Sequence, residues 1–352
     1  MEMNQDFGSE LPVFHTIGNH DHDPAMTGDF LTAHRYWKGL GPSWYSFNIG
    51  RVHYIVLDDI RCANTADARA FSSIITDEQL AWLARDLSYV PKETPIVLTM
   101  HSPLYYDNGN LSLKNSFSSF LKLFEGRSRL QVFTGHTHVV FNVDRMSSSV
   151  KVFECNSGAV CGAWWMTGHN VGVHLGSDGA PGGYKVLDVN GSSMSWYFKA
   201  TGQPSTKQFR TYDRNEIELS AEKWAPHASA SGKAAFETAA GEYAHADKKN
   251  YVLINVWDYD PSWTITVTEN GNILPVERLE DVKDPLYLVC YEAYEYEHHY
   301  DDSVYYPASK TKHIFRVQAS SPSSTLQISV KDRLGRIYTE TMTRPKPFVV
   351  EP

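Results

Sequence analysis

Cysteine is scarce: four residues in 352, Cys62, Cys155, Cys161 and Cys290. They are too few and too scattered for a disulfide framework, and none has the CxxC spacing of zinc or redox motifs. Long hydrophobic runs are also lacking. The longest, at 52–57 and 95–100, fall far short of the roughly 18 residues a membrane-spanning helix needs, so no membrane span is expected. Basic charge is outnumbered, with 32 Lys and Arg against 41 Asp and Glu and a formal charge of -9. Such a chain has no cationic field for a polyanion, and duplex nucleic acid is not an expected partner. Residues 1–10 lack the basic start and apolar centre of a secretory signal. No internal repeat is evident, and 320–324 is only a short polar turn.

What remains is ordinary globular composition, 42% apolar and 21% charged, at a length that favours two domains. Apolar strands are predicted at 13–17, 44–49, 52–57, 96–100 and 130–134. Between them, Leu80, Leu83 and Leu87 fall at helical spacing over 76–87, with Asp77 and Glu78 in the first turn. Phe117, Phe120, Leu121 and Phe124 mark a second helix over 115–124. Strands at 150–154, 183–189 and 194–199 follow, the last two joined by Asn190-Gly191. This alternation predicts an α/β domain over 1–204.

Past a Gly, Pro, Ser and Thr-rich stretch at 200–214 the pattern changes to short strands, at 251–257, 263–269, 286–291, 312–319 and 326–331, without convincing helices. Asn270-Gly271 and Leu334-Gly335 mark turns. An all-β sandwich is expected over 205–352.

Three polar segments each follow an apolar strand: Gly18-Asn19-His20-Asp21, His101, and Gly135-His136-Thr137-His138. Strand ends are where ligand sites assemble in open α/β sheets, so the three are expected to converge on one crevice. In extended chain His136 and His138 share a face. Imidazoles with the Asn19 amide oxygen form a mixed N/O set suited to Mn, Fe, Zn or Ni.

In this order GNHD, a lone histidine and GHTH resemble the last three motifs of the calcineurin-like metallophosphoesterases, over about residues 11–200. The resemblance implies a four-layer αββα sandwich. It implies that Asn19, His101 and His136 are ligands of one metal of a two-metal site and His138 a ligand of the other. His20 matches the histidine that protonates the leaving group or stabilises phosphoryl charge, with Asp21 as its orienting partner. Two divalent ions about 3.5–4 Å apart would activate a bridging hydroxide against a small-molecule phosphomonoester or phosphodiester.

One departure stands out. The family's DxH and GD motifs should precede GNHD, and the residues before Gly18 hold neither; His15 and Asp6 lack the spacing. The sandwich is therefore expected to be N-terminally incomplete and this chain's activity impaired, either because a preceding segment has been removed, the preferred reading, or because the protein is a naturally shortened homologue. The stretch 157–168 with Trp164 and Trp165, followed by a β domain, looks like a bacterial subgroup, and with it an extracytoplasmic location is expected. The competing reading is a non-catalytic protein that binds a glycan or cell-envelope component, with a degenerate metal site.

Weaker signals have plainer readings beside them. His20 to Asp23 carry the residue types of HD phosphohydrolases, whose ligands lie on helices. His22, His34 and His169 read as polar loop residues or pocket lining. Asp58 and Asp59 end a strand and either cap a turn or approach the site. Tyr105, Tyr106 and Asn108 read as a loop beside the site, and Trp164 and Trp165 as an aromatic wall or as packing. Tyr294 and Tyr296 alternate with Glu295 and Glu297 as in a half-buried strand. His298, His299, Asp301 and Asp302 read as a solvated hairpin rather than a second metal site.

Overall fold

Apolar side chains at successive positions, as at 96–98, are the pattern of strands covered on both faces. The structure, a computed structural model, describes residues 11–62, 70–113, 116–128, 130–298 and 304–351. Its first strands are β1 (Tyr45–Ile49), β2 (Val52–Val56), β3 (Ile60–Cys62), β4 (Phe71–Ser73), β5 (Ile96–Thr99), β6 (Leu130–Thr134), β7 (Val140–Ser147) and β8 (Val150–Ser157). Six of them form one mixed sheet in the order β1-β2-β5-β6-β8-β7, while β3 and β4 pair separately. Strands β2, β5, β6 and β8 are parallel, and β1 runs antiparallel to β2.

Parallel neighbours need crossover connections. The helix Asp77–Ser88 lies between β2 and β5 in sequence, and Phe117–Lys122 between β5 and β6. Thr76 caps the first, its hydroxyl accepting from Gln79 N at 3.3 Å. Leu83, Leu87, Phe120 and Phe124 then share one core cluster with Ile55, Leu98 and Val132.

The chain divides into two compact units. The first comprises Met1–Thr137, Asn142–Asn156 and Asp188–Met194; the second comprises His138–Phe141, Ser157–Leu187 and Ser195–Pro352. The hairpin of β9 (Gly183–Asn190) and β10 (Ser193–Ala200) forms as expected, with Gly191 at φ 63.

In the second unit, β11 (Phe209–Asp213), β12 (Tyr251–Val256), β13 (Thr264–Glu269), β14 (Asn272–Leu274), β15 (Val276–Arg278), β16 (Ile314–Gln318), β17 (Leu326–Lys331) and β18 (Ile337–Met342) build two antiparallel sheets. Their orders are β11-β12-β16-β15 and β14-β13-β17-β18. Period-two alternation sends Val252, Ile254 and Val256 into a core shared with Val267, Ile328 and Val330. Leu253, on the opposite face of β12, packs into a second cluster with Phe236, Leu286 and Tyr291. Asn270-Gly271 joins β13 to β14 with φ 49 and 81, both positive as a type I′ turn requires.

Several local expectations are corrected. Residues 13–17 form no strand; they are tied instead by Phe14 stacking on Phe47 at 3.9 Å, by Tyr45 donating to His15 O at 2.8 Å, and by the Thr16–Thr99 hydroxyl contact at 3.1 Å. Residues 286–291 are helical, in the elements Pro285–Tyr287 and Leu288–Ala293, and Tyr294–His298 continues as helix. The reason is the Asp284-Pro285 start: Asp284 Oδ1 accepts from Leu286 N at 2.9 Å and Tyr287 N at 3.1 Å, with Pro at the first position. A helix also covers Ala230–Ala240, capped by Ser229.

One buried acid of β8 makes stability depend on pH. Glu154 is fully buried and accepts from Leu104 N, Tyr105 N and Thr134 Oγ1 at 2.7, 3.0 and 2.9 Å. Burial raises its pKa from 4.5 to about 7 against the pull of these donors. Between those values the folded state holds a proton that the unfolded state releases, so the group costs stability as pH rises through that window. Urea unfolding at pH 4.5 and pH 7 is expected to show this decline, and Glu154→Gln to flatten it. An unchanged slope in the variant would remove Glu154 as its source.

Candidate metal centre

The parallel strands deliver their polar residues at the C-terminal edge of the sheet. After 13–17 the chain turns through the 3-10 element Asn19–Asp21, where Asp21 Oδ2 accepts from Gly18 N at 2.8 Å. The turn buries Asn19 and leaves His20 exposed. Thus Asp21, expected to orient His20, spends its carboxylate on the loop that carries both.

His101 follows β5. Its amide donates to Asp59 Oδ1 at 3.0 Å, and Ser102 N donates to Asp59 Oδ2 at 2.9 Å. Asp59 is fully buried, and burial pushes its carboxyl up to about 8 despite these two amides. His136 follows β6 with φ 68, and His138 has φ 58. GHTH is therefore a turn, which corrects the expectation of extended chain. Asn156, buried at the end of β8, holds that turn: it donates to Gly135 O at 2.7 Å and accepts from Thr137 Oγ1 at 2.8 Å. Asn156 was missed as a site residue in the sequence, where its only signal is its place at a strand end.

Within the first unit Asn19, His101 and His136 come together. His101 Nε2 lies 2.8 Å from Asn19 Oδ1 and 3.0 Å from His136 Nδ1, and Phe71 meets the His136 ring edge-on at 5.3 Å. Donors held about 2.1 Å from a cation, at the near-90° angles of octahedral coordination, sit about 3 Å from one another. The donor set thus fits a divalent metal by chemistry and by spacing.

His138 belongs to the second unit. Its Nδ1 lies 2.7 Å from Gly162 O, an acceptor only, so Nδ1 carries the hydrogen and Nε2 presents a lone pair in the neutral ring. Trp164 stacks on this ring at 3.9 Å and on Tyr306 at 3.8 Å. Trp164 and Trp165 both have positive φ, 51 and 65, a conformation bulky residues adopt only where packing imposes it. Trp165 meets His174 edge-on at 5.2 Å.

Other candidates resolve differently. His34 and His169 lie in the short helices His34–Leu40 and Met166–Val171. Tyr105 is a core residue whose hydroxyl meets Ser147. Asp58 caps the turn into β3 by accepting from Ile60 N at 3.2 Å. Asn108 Oδ1 accepts from Asn110 N at 2.9 Å within its loop, and Tyr106 is exposed. His299, Asp301 and Asp302 fall outside the described residues.

Residues 1–140 match the family model for calcineurin-like phosphoesterase, and residues 154–338 match the model for the C terminal of calcineurin-like phosphoesterase. The chain belongs to the calcineurin-like phosphoesterases. No curated protein matches the sequence. As a member of this family the chain is a hydrolase of the metallophosphoesterase kind, and such phosphoesterases use divalent metals.

One glycine of this phosphoesterase allows the centre to close. A Cβ on Gly18 would stand 2.9 Å from His101 Cε1 and Nδ1, although φ -121 and ψ 173 suit any residue. Gly18→Ala is therefore expected to push the His101 ring away from Asn19 and His136. The expected loss is about 10–100-fold in affinity for Mn(II), beside an overpacking cost to stability of about 1–3 kcal/mol. Calorimetric titration with Mn(II) checks this, and parent-like affinity would contradict the packing.

Proposed function

We propose that this phosphoesterase hydrolyses small phosphomonoesters or phosphodiesters at the centre formed by Asn19, His101 and His136. The observation that carries the reading is the convergence of three donor atoms, from the ends of β5 and β6 and from the turn Asn19–Asp21, at separations of 2.8 and 3.0 Å. A bound divalent cation, with Mn, Fe, Zn and Ni as the candidates, supplies Lewis acidity that draws charge from phosphoryl oxygens and acidifies water. A second cation is part of the proposal, with His138 as a donor.

The chain's own residues have distinct parts. Asn19, His101 and His136 bind the cation. Asp59 and Asn156 position His101 and the GHTH turn through the hydrogen bonds described above. His20, exposed beside Asn19, donates a proton to the leaving oxygen as the phosphorus–oxygen bond breaks and water adds to phosphorus. Asp21 fixes the turn on which His20 stands.

The test is add-back of each of the four metals to metal-stripped protein, with a chromogenic monoester and a chromogenic diester as substrates. Hydrolysis of one ester class above the metal-free rate is expected. Silence toward both classes with all four metals would refute the reading.

A further inference from the structure

A second group of metal-binding side chains lies in the first unit, outside the centre described above. One ring nitrogen of His22, a carboxylate oxygen of Asp29 and Cys62 Sγ all lie within 4.8 Å of one another. We propose that His22, Asp29 and Cys62 form a separate site for a thiophilic divalent cation of the zinc class, with Asp58 as the fourth donor.

The local hydrogen bonds prepare the site. Thr32 Oγ1 donates its proton to Asp29 O at 2.5 Å, so the contact it makes with His22 Nδ1 at 2.7 Å is one in which the ring donates. This fixes the neutral tautomer and leaves Nε2 with a lone pair, the arrangement that orients metal-ligating histidines. His22 is buried, and its Nε2 has no hydrogen-bond partner. It stands 3.7 Å from Asp58 Oδ1. An imidazole nitrogen buried without a partner is costly unless something occupies the space before it.

Asp29 is likewise held in place, its Oδ1 accepting from Cys62 N at 2.8 Å. Charge favours a cation here. Burial and the neighbouring Asp58 raise the Asp29 carboxyl. Burial, with Asp29 and Asp58 beside it, raises the Cys62 thiol. Two carboxylates and a thiol crowded together repel as they ionise, and a dication reverses that balance. One sulfur, one nitrogen and carboxylate oxygens make a tetrahedral set for Zn(II) rather than for Mg or Ca.

A way in exists. A cleft of about 480 Å³ has Asp29 in its wall together with Arg61, Asp77 and Glu78. On binding, the Cys62 S–H bond breaks, sulfur keeps the electron pair for the metal, and the proton leaves to solvent. The ion would clip the loop after Asn19–Asp21 to the end of β3, so its consequence is structural. It stands apart from the hydrolytic reading, because none of Asn19, His101, His136 and His138 carries sulfur.

Cobalt(II) reports this site selectively, since only a thiolate ligand gives an intense sulfur-to-cobalt charge-transfer band in the near ultraviolet. Titration of the reduced, full chain is expected to raise such a band, which saturates with added cobalt and is bleached by added Zn(II). Cys62→Ser should abolish the band, while Cys161→Ser, which alters the cysteine beside His138, should keep it. Zinc-edge absorption fine structure on the unmutated chain, with enough Zn(II) to fill every site, is independent of variant folding. It should show a sulfur contribution at about 2.3 Å. A folded parent chain with no band, a band that survives in Cys62→Ser, or a zinc shell without sulfur would each overturn the proposal.

Discussion

His136→Ala is expected to lower kcat/KM for metal-dependent phosphoester hydrolysis by more than about 100-fold. Residues that merely orient a metal ligand already cost about 10–100-fold when removed, and His136 is itself one of three converging donors. Its Nδ1 lies 3.0 Å from His101 Nε2, so Ala removes one donor and leaves the other two beside an open position. The fold should tolerate the change, because His136 is only partly buried and follows β6 rather than lying within it. Initial rates across a Mn(II) titration, alongside thermal unfolding, separate the two effects. Activity within tenfold of the parent would take His136 out of the centre.

The largest effect on stability is expected from the ion pair at the end of β11. Arg344 and Asp213 both have fully buried side chains. Arg344 Nε donates to Asp213 Oδ2 at 3.0 Å and Nη2 donates to Oδ1 at 2.8 Å, a bidentate fork. Arg344→Met leaves a buried carboxylate whose remaining donors among the described residues are the amides of Asn215 at 3.2 Å and Lys346 at 3.3 Å. Removing one member of such a pair costs about 3–5 kcal/mol. Adding Asp213→Leu removes the orphaned charge as well, so the double variant should be less destabilised than Arg344→Met alone. Urea unfolding measures both, and a loss below about 1 kcal/mol in the single variant would contradict the burial.

Much of the first unit is legible in its residues because its signals agree across levels. The run that forms β5 is apolar at successive positions and that of β6 is interrupted only by Gln131, and each is followed closely by the histidine segment it delivers. The N-terminal residues of Asp77–Ser88 announce the helix that Leu83 and Leu87 then bury. Residues 13–17 carry the same apolar signal as a strand but find their partners through side chains, which no periodicity reveals. In 286–291 the apolar run fits a buried helix as well as a strand; the Asp284-Pro285 start decides between them.

The site divides in the same way. Asn19, His101 and His136 stand out by motif, whereas Asp59 and Asn156 are single polar residues whose partners lie far along the chain. His22 and Cys62 carry no pattern at all, and only folding brings them beside Asp29. The turn of GHTH was hidden for another reason: two histidines at positive φ break the extended geometry that spacing alone implies.

The most direct measurement is anomalous diffraction from crystals of the full chain soaked in Mn(II). A peak within coordination distance of Asn19 Oδ1, His101 Nε2 and His136 Nδ1 together is the expected result. Manganese bound elsewhere, with these three atoms still in contact with one another, would contradict the metal centre and with it the hydrolytic function proposed for this phosphoesterase.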